Sequence, residues 1–309
     1  MHPEPASQVP RPPLGFGSAP RTAARYRQRR RPFAAFGFVA FGMVLLLLGA
    51  CRPKQSSASA PGTALAGVTK HCTPWATIVR GPYKYENNVW GSNKAKGAYE
   101  QCLLEKQAGG RNIVGWTWSW PGRDPSVFAY PELIFGWKPW SGGRTSDPRF
   151  PMRVGDVKEL TLRYDVETEA TGAYNLAPEI WLTRSGRAQH EPNPKTITTE
   201  IMFWMDYASG ARPAGSVVGT PSIDSVTYEL WKEDSIGDKG DGTGWLLYSF
   251  MSPKIQRQGT ISVHMLLRYL IDKELVSPDE FVASVEFGNE IVSGSGTTWV
   301  NHFEIAVKP

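Results

Sequence analysis

Two carboxylates stand in settings that a solvated surface acid seldom occupies. Glu200 lies in mid-segment of TTEIMFWMDY (Thr198–Tyr207), with Met202 and Trp204 as its neighbours on the same side. Glu290 ends the apolar stretch EFVASVEFGNE (Glu280–Glu290) and precedes Ser293-Gly294-Ser295-Gly296, a turn of small residues that lets the chain approach a ligand. A pair of such acids can act at one carbon, one attacking and the other moving a proton. Other chemistries find fewer resources. The five histidines are scattered singly and there is no CxxC, so a metal site has little support. No GxSxG is present, which removes the nucleophile elbow of an esterase. The acids of KEDSIGDKGDG (Lys232–Gly242) do not follow calcium-loop spacing and read as a solvated loop. Neither a metal nor an organic cofactor is implied.

The elements that must position these acids are strands. In Thr198–Tyr207, Ile201, Phe203 and Met205 share one face, and Glu200, Met202, Trp204 and Asp206 the other. In Glu280–Glu290, Phe281, Ala283, Val285 and Phe287 oppose Glu286, Gly288 and Glu290. Lys158–Thr168 and Trp299–Val307 alternate in the same way, and Gly115–Trp120 sets Trp116, Trp118 and Trp120 on one face. One segment breaks the period: Val263, Leu266, Leu267, Leu270 and Ile271 recur at helical spacing, which predicts an amphipathic helix over Ser262–Val276. The expected fold is all-β, an antiparallel β-sandwich or jelly roll with a concave cleft and one packed α-helix. Such a sandwich buries one face of each sheet and leaves the other to solvent. Trp and carboxylates recur on the faces opposite the apolar rows, and exposed aromatic rows are costly unless they meet something. Flat, amphipathic sugar rings stack well on Trp, so the expected cleft is a polysaccharide groove, with the row from Trp116 to Trp120 lining it; the alternative for that row is the core.

Charge and cysteines place the folded part. Of 34 basic and 29 acidic residues, nine Lys/Arg and Glu4 alone fall in residues 1–54, so 25 and 28 remain, a net of −3. A mildly acidic folded part does not suit a nucleic acid as partner. Arg27–Arg31 precede an uncharged apolar run from Phe33 to Ala50, the layout of a secretory signal. The run closes on Leu48-Gly49-Ala50-Cys51, which resembles a bacterial lipobox with Cys51 as the acylated residue, and Arg30-Arg31-Pro32-Phe33 resembles the core of a twin-arginine signal. An uncleaved membrane anchor is the alternative. The expected organisation is a signal over 1–50, a flexible tether over 51–69 and a folded domain over 70–309, monomeric and touching a membrane only through an N-terminal lipid anchor. In an oxidising compartment the remaining cysteines, Cys72 and Cys102, form a disulfide by default, with two free thiols as the alternative.

Several motifs together resemble glycoside hydrolase family 12, endo-acting β-1,4-glucanases and xyloglucanases, over nearly all of Cys72–Val307. They are ENNVWG (Glu86–Gly91), GWTWSW (Gly115–Trp120), YPELIFGWKPW (Tyr130–Trp140), EIMFWMDY (Glu200–Tyr207) and FGNEIVSGSG (Phe287–Gly296). The resemblance implies a β-jelly roll and a retaining double displacement on a β-glucan such as cellulose, mixed-linkage glucan or xyloglucan. Glu200 would be the nucleophile, Glu290 the acid/base, and Glu179 of PEIWL the assisting acid, where an Asp is usual. It also implies sugar contacts from Asn88, Trp90, Trp116, Trp118, Met202 and Trp204, with Glu132 and Trp137 as weaker candidates. Cys72 and Cys102 fall where some members have a disulfide. Asn289 and Ile291 depart from the Thr and Pro common beside the acid/base. A non-catalytic carbohydrate-binding module on the same sandwich is the rival of another class.

Overall fold

A computed structural model describes residues 67–122, 126–237 and 244–309. The expected signal, Cys51 and the tether up to residue 66 lie outside the described residues, as does part of the Lys232–Gly242 loop. The chain runs through β1 (Val68–His71), β2 (Thr77–Arg80), β3 (Tyr83–Glu86), β4 (Glu100–Ala108) and β5 (Arg111–Trp120). It continues with β6 (Glu132–Gly136), β7 (Met152–Arg153), β8 (Glu159–Ala170), β9 (Tyr174–Thr183), β10 (Ile197–Trp204) and β11 (Asp206–Tyr207). Then come β12 (Ser216–Gly219), β13 (Ser222–Ile223), β14 (Val226–Thr227), β15 (Glu229–Ile236), β16 (Trp245–Met251) and β17 (Gln258–Ser262). Helix α1 (Val263–Asp272) follows, and β18 (Phe281–Ile291) and β19 (Gly294–Lys308) close the chain. Because β1 begins at Val68, the last two residues assigned to the tether are already strand.

Two sheets carry the architecture. One has six strands in the order β1-β4-β5-β19-β8-β17; the other runs β12-β15-β16-β10-β9-β18-β6-β3-β2, with β11 and β7 attached to β9 and β18. The jelly-roll sandwich expected from alternation is the fold observed. One detail departs from a purely antiparallel arrangement: β10 and β16 pair in parallel, Glu200 opposite Leu247 and Met202 opposite Ser249. The excursion through β11–β15 separates them, and a connection of that length can return a strand in the same direction.

The core lies where the apolar rows meet. Ile201, Phe203, Ile180, Leu182, Val285 and Phe287 from the longer sheet pack with Leu160, Leu162, Tyr164, Val166 and Val300 from the six-stranded one. Helix α1 buries Val263, Leu266, Leu267 and Leu270 and packs against β8. It is shorter than the period suggested because Glu274 adopts a left-handed φ of 57°, and the amides of Glu274 and Leu275 turn back to the carbonyls of Ile271 and Leu270. Cys72 and Cys102 form a disulfide that ties the segment after β1 to β4, with an S–S distance of 2.01 Å.

The Trp row on β5 corrects one expectation. Trp116, Trp118 and Trp120 do share a face, but β5 belongs to the six-stranded sheet and that face is the core. Trp116 is fully buried and Trp118 retains 2% of its surface, so neither stacks on a sugar. Wide aromatic rings fill the gap between sheets, and partners inside the core satisfy two of the indoles. Trp116 Nε1 donates to Asn289 Oδ1 at 2.8 Å and Trp120 Nε1 to Gln101 Oε1 at 3.0 Å. Trp120 is also sandwiched between Tyr99 and Phe128 at ring-centroid distances of 4.0 and 5.5 Å. Trp137 is structural as well: it is fully buried, with its indole donating to the Gln189 carbonyl.

Candidate active site

The strands at the middle of the longer sheet set out a field of carboxylates on the face away from the core. On β10, the residues that alternate with the core positions Ile201 and Phe203 point the other way, which brings Glu200, Met202 and Trp204 to this face. Register carries the pattern across neighbours: Glu200 lies opposite Trp181 on β9 and Met202 opposite Glu179. Glu179 in turn faces Glu286 on β18, and Glu290 faces Asn175. Farther along, Gly288 faces Glu132 on β6, which faces Glu86 on β3.

Glu200 and Glu290 therefore do not stand side by side. Their partners on β9, Trp181 and Asn175, are six residues apart, about 20 Å along an extended flat strand. Glu179 sits between them. Even so, the charge of Glu290 is the second cause of the rise in proton affinity of Glu200 and the third for Glu179. All three acids share the face of the longer sheet that points away from the core, which is the trough where a ligand would lie.

The electrostatics of the three acids follow from enclosure. Burial pushes Glu200 up to about 8, the charge of Glu290 adds to the rise, and the Trp245 indole pulls it back by donating to Glu200 Oε2 at 2.7 Å. Glu179 is raised well above the ordinary carboxylate range by burial, then by Glu200 and Glu290. Burial also raises Glu290, against a hydrogen bond donated by Asn175 Nδ2. The group titrates as a unit. Once Glu290 holds a proton, the second cause of Glu200's rise is gone and Glu200 ionises more readily. One shared proton thus leaves one acid able to donate and the other able to attack.

The backbone beneath Glu290 is held from the core side. Asn289 accepts from both Trp116 Nε1 and Thr298 Oγ1 at 2.8 Å and donates to the Asn175 carbonyl at 2.9 Å. Trp116 thus supports the acid from behind rather than meeting a ligand. Among the other expected contacts, Trp90 is half exposed on the turn after β3. Its backbone N–H donates to Asn88 Oδ1, and the Asn88 amide donates to Glu132 Oε1 at 2.7 Å. Glu132 is wholly buried, so it is corrected from a direct sugar contact to a support below Asn88. Met202 and Trp204 join Ala177, Leu247 and Met251 in an apolar patch on the trough side, separate from the main core.

Some partners were not legible beforehand. Trp245, Asn175, Lys138, Glu86 and Glu286 all touch the acidic field, yet the first two contact acids 45 and 115 residues away in sequence. Trp140, Trp181 and Trp245 pack edge-on with centroids 5.2–5.6 Å apart, forming an aromatic wall beside Glu200. Alternation in WLLYSFM (Trp245–Met251) was the available signal for Trp245. Among the described residues, the grouping with metal-ligand side chains is Cys72, Glu100 and Cys102, and its thiols are consumed by the disulfide. An open hollow of about 660 Å³ bordered by Thr117, Glu169, Ser295 and Thr297 is lined by none of these carboxylates.

Comparison with known proteins identifies the family. The model of glycosyl hydrolase family 12 matches residues 81–308. Endoglucanase S of Pectobacterium parmentieri is 30% identical over 227 residues, covering 73% of this chain and 82% of that protein. A probable xyloglucan-specific endo-β-1,4-glucanase A of Aspergillus clavatus is 26% identical over 234 residues, 74% of this chain and 86% of the relative. The native family 12 xyloglucanase of Bacillus licheniformis superposes with a TM-score of 0.68 at 30% identity, over 78% of this chain and 100% of that one. With the family's pattern matched from β3 to the last strand, the chain belongs to glycosyl hydrolase family 12.

Proposed function

We propose that this glycoside hydrolase is a retaining endo-β-1,4-glucanase in which Glu200 attacks the anomeric carbon and Glu290 serves as acid and then base. The observation that carries the reading is the placement of these two acids on one face of the longer sheet, with Glu179 between them and both acting on its charge. In the first step the ionised Glu200 carboxylate forms a bond to C1 while Glu290 gives its proton to the departing glycosidic oxygen. In the second, Glu290 takes a proton from water as the oxygen of that water displaces Glu200. The indole N–H of Trp245 steadies the carboxylate form of Glu200, and Asn175 aims Glu290. Trp90 meets the glucan with its exposed ring, and Asn88, Met202 and Trp204, themselves buried, shape the trough beneath it.

Cellulose-type glucans are the proposed substrate, and xyloglucan is the second reading, favoured by the relatives and solved structures named for that activity. Parallel reducing-sugar assays on carboxymethylcellulose, barley β-glucan and xyloglucan separate the two. Activity on none would favour a carbohydrate-binding module instead. Replacing Glu200 with Gln should lower kcat by about 10³-fold or more while polysaccharide binding persists; hydrolysis at the parent rate would reject Glu200 as nucleophile. The N-terminal pattern supports export and lipid anchoring at Cys51, and the enzyme is proposed to act as a monomer. Palmitate labelling that survives Cys51→Ser would reject the anchor.

A further inference from the structure

Lys138 is a lysine buried in the acidic field, and the chemistry above does not use it. Gly136, at a φ of 97° and with no room for a Cβ beside the Ala283 carbonyl, turns the chain out of β6. Trp137 then anchors that turn through its indole, and the Lys138 side chain comes to lie among carboxylates from three strands. Its ammonium lies 3.3 Å from Glu86 Oε1 on β3 and 3.4 Å from Glu286 Oε2 on β18, and closer still to Glu132 Oε1 on β6. An uncompensated buried charge is expensive, and a buried cluster persists only when its charges are matched.

We propose that Lys138 is a positioning residue for glycoside hydrolysis, an internal counter-charge that holds Glu86, Glu132 and Glu286 together beneath the Asn88–Trp90 platform and keeps unmatched negative charge away from Glu179 and Glu200. The inference rests on the glucanase reading and deepens it. Its support is a charge tally. Glu132 Oε2 is buried with no hydrogen-bond partner, as a carboxylate oxygen should not be. Burial raises Glu132 well above the usual range despite the pull of Lys138, and the neighbouring charge of Glu286 raises it further. A protonated Glu132 donating to Glu286 accounts for the orphan oxygen. The ammoniums of Lys84 and Lys138 then match Glu86 and Glu286, with Lys84 held 2.8 Å from Glu86 Oε2. Burial alone would lower the proton affinity of Lys138, but Glu132, Glu286 and Glu86 together raise it, so the ammonium is retained. Tyr130, a further ionisable neighbour of Glu132 and Glu286, is kept protonated by burial.

The link to the reaction is register. Glu286 is the cross-strand partner of Glu179, and it is also among the charges that raise Glu200. Without Lys138, Glu286 is unmatched, and Glu179 and Glu200 bind protons more tightly. The acidic limb of kcat/KM on β-glucan in Lys138→Met should then move to higher pH by about one unit. Glu286→Gln removes a negative charge from the same place and should move that limb to lower pH. Opposite displacements are the signature that a purely structural role would not give. If either folded variant keeps the wild-type limb, or both move the same way, the assignment is overturned. Should Lys138→Met fail to fold, Glu286→Gln decides alone. A wild-type chain that releases no reducing sugar would instead overturn the glucanase reading, whereas an active chain with unmoved limbs overturns only the role of Lys138.

Discussion

The Trp row of β5 and the Trp wall around Glu200 are written in similar sequence and do different work. Trp116, Trp118 and Trp120 alternate on a strand, as do Trp204 with Glu200 and Trp245 with Leu247. In the first set, the indoles of Trp116 and Trp120 donate to buried amide oxygens of Asn289 and Gln101, that of Trp118 is buried without a partner, and the Trp120 ring stacks on Tyr99 and Phe128. In the second, Trp245 donates to a carboxylate and Trp140 reaches solvent, while Trp181 and Trp204 share with Trp118 an indole N–H without a partner. The contrast shows that the same alternation can build a filler between sheets or the lining of a reaction trough. What decides is the face of its sheet on which the row lies.

The largest expected effect that would sharpen this contrast is on stability. Trp116→Ala should cost about 3–5 kcal/mol, because it opens a cavity between the sheets. Trp204→Ala, in a small patch beside the trough, should cost clearly less and mainly reduce activity. Thermal melts of the two variants measure the difference, and equal losses would erase the distinction between core row and trough wall. Trp245→Phe should act on chemistry with little effect on melting. A hydrogen bond to a charged group contributes about 1.5–3 kcal/mol, so kcat/KM should fall at least about tenfold. The sign of the pH effect follows from the donor. The indole lowers the proton affinity of Glu200, so its removal raises that affinity and moves the acidic limb to higher pH. A limb that stays in place would mean that Trp245 packs against Glu200 without tuning it.

The readable part of the molecule was its periodicity. Two-residue alternation gave the sandwich and the common face of Glu200, Met202 and Trp204, and helical spacing gave the helix from Val263 onward, because burial on one side of an element leaves its period in the chain. The motifs singled out Glu200 and Glu290. The destination of the β5 row was not readable: alternation says which side chains travel together, and only sheet order says whether they meet the core or the trough. Lys138 and Glu286 escaped for a related reason. A lysine or glutamate in a strand-rich sequence normally marks a solvated position, and only cross-strand register reveals that these two neutralise each other in the interior. Asn175 was hidden because its contact with Glu290 spans 115 residues.

The smallest expected effect concerns the platform at the mouth of the trough. Trp90 keeps 49% of its surface, the Lys94 ammonium lies 5.1 Å from its ring centroid, and its backbone is pinned through Asn88. The adjoining Gly91 is needed because a Cβ there would stand 2.6 Å from the Val127 carbonyl oxygen, so the platform's backbone is set independently of the Trp90 ring. Trp90→Ala should therefore leave the melting temperature nearly unchanged. Stacking of a ring on an aromatic face contributes about 0.5–1.5 kcal/mol, so KM should rise roughly two- to tenfold with kcat little altered. A loss confined to kcat would mean that the ring acts on the reacting sugar itself, and an unchanged KM would mean that the glucan passes this tryptophan without touching it.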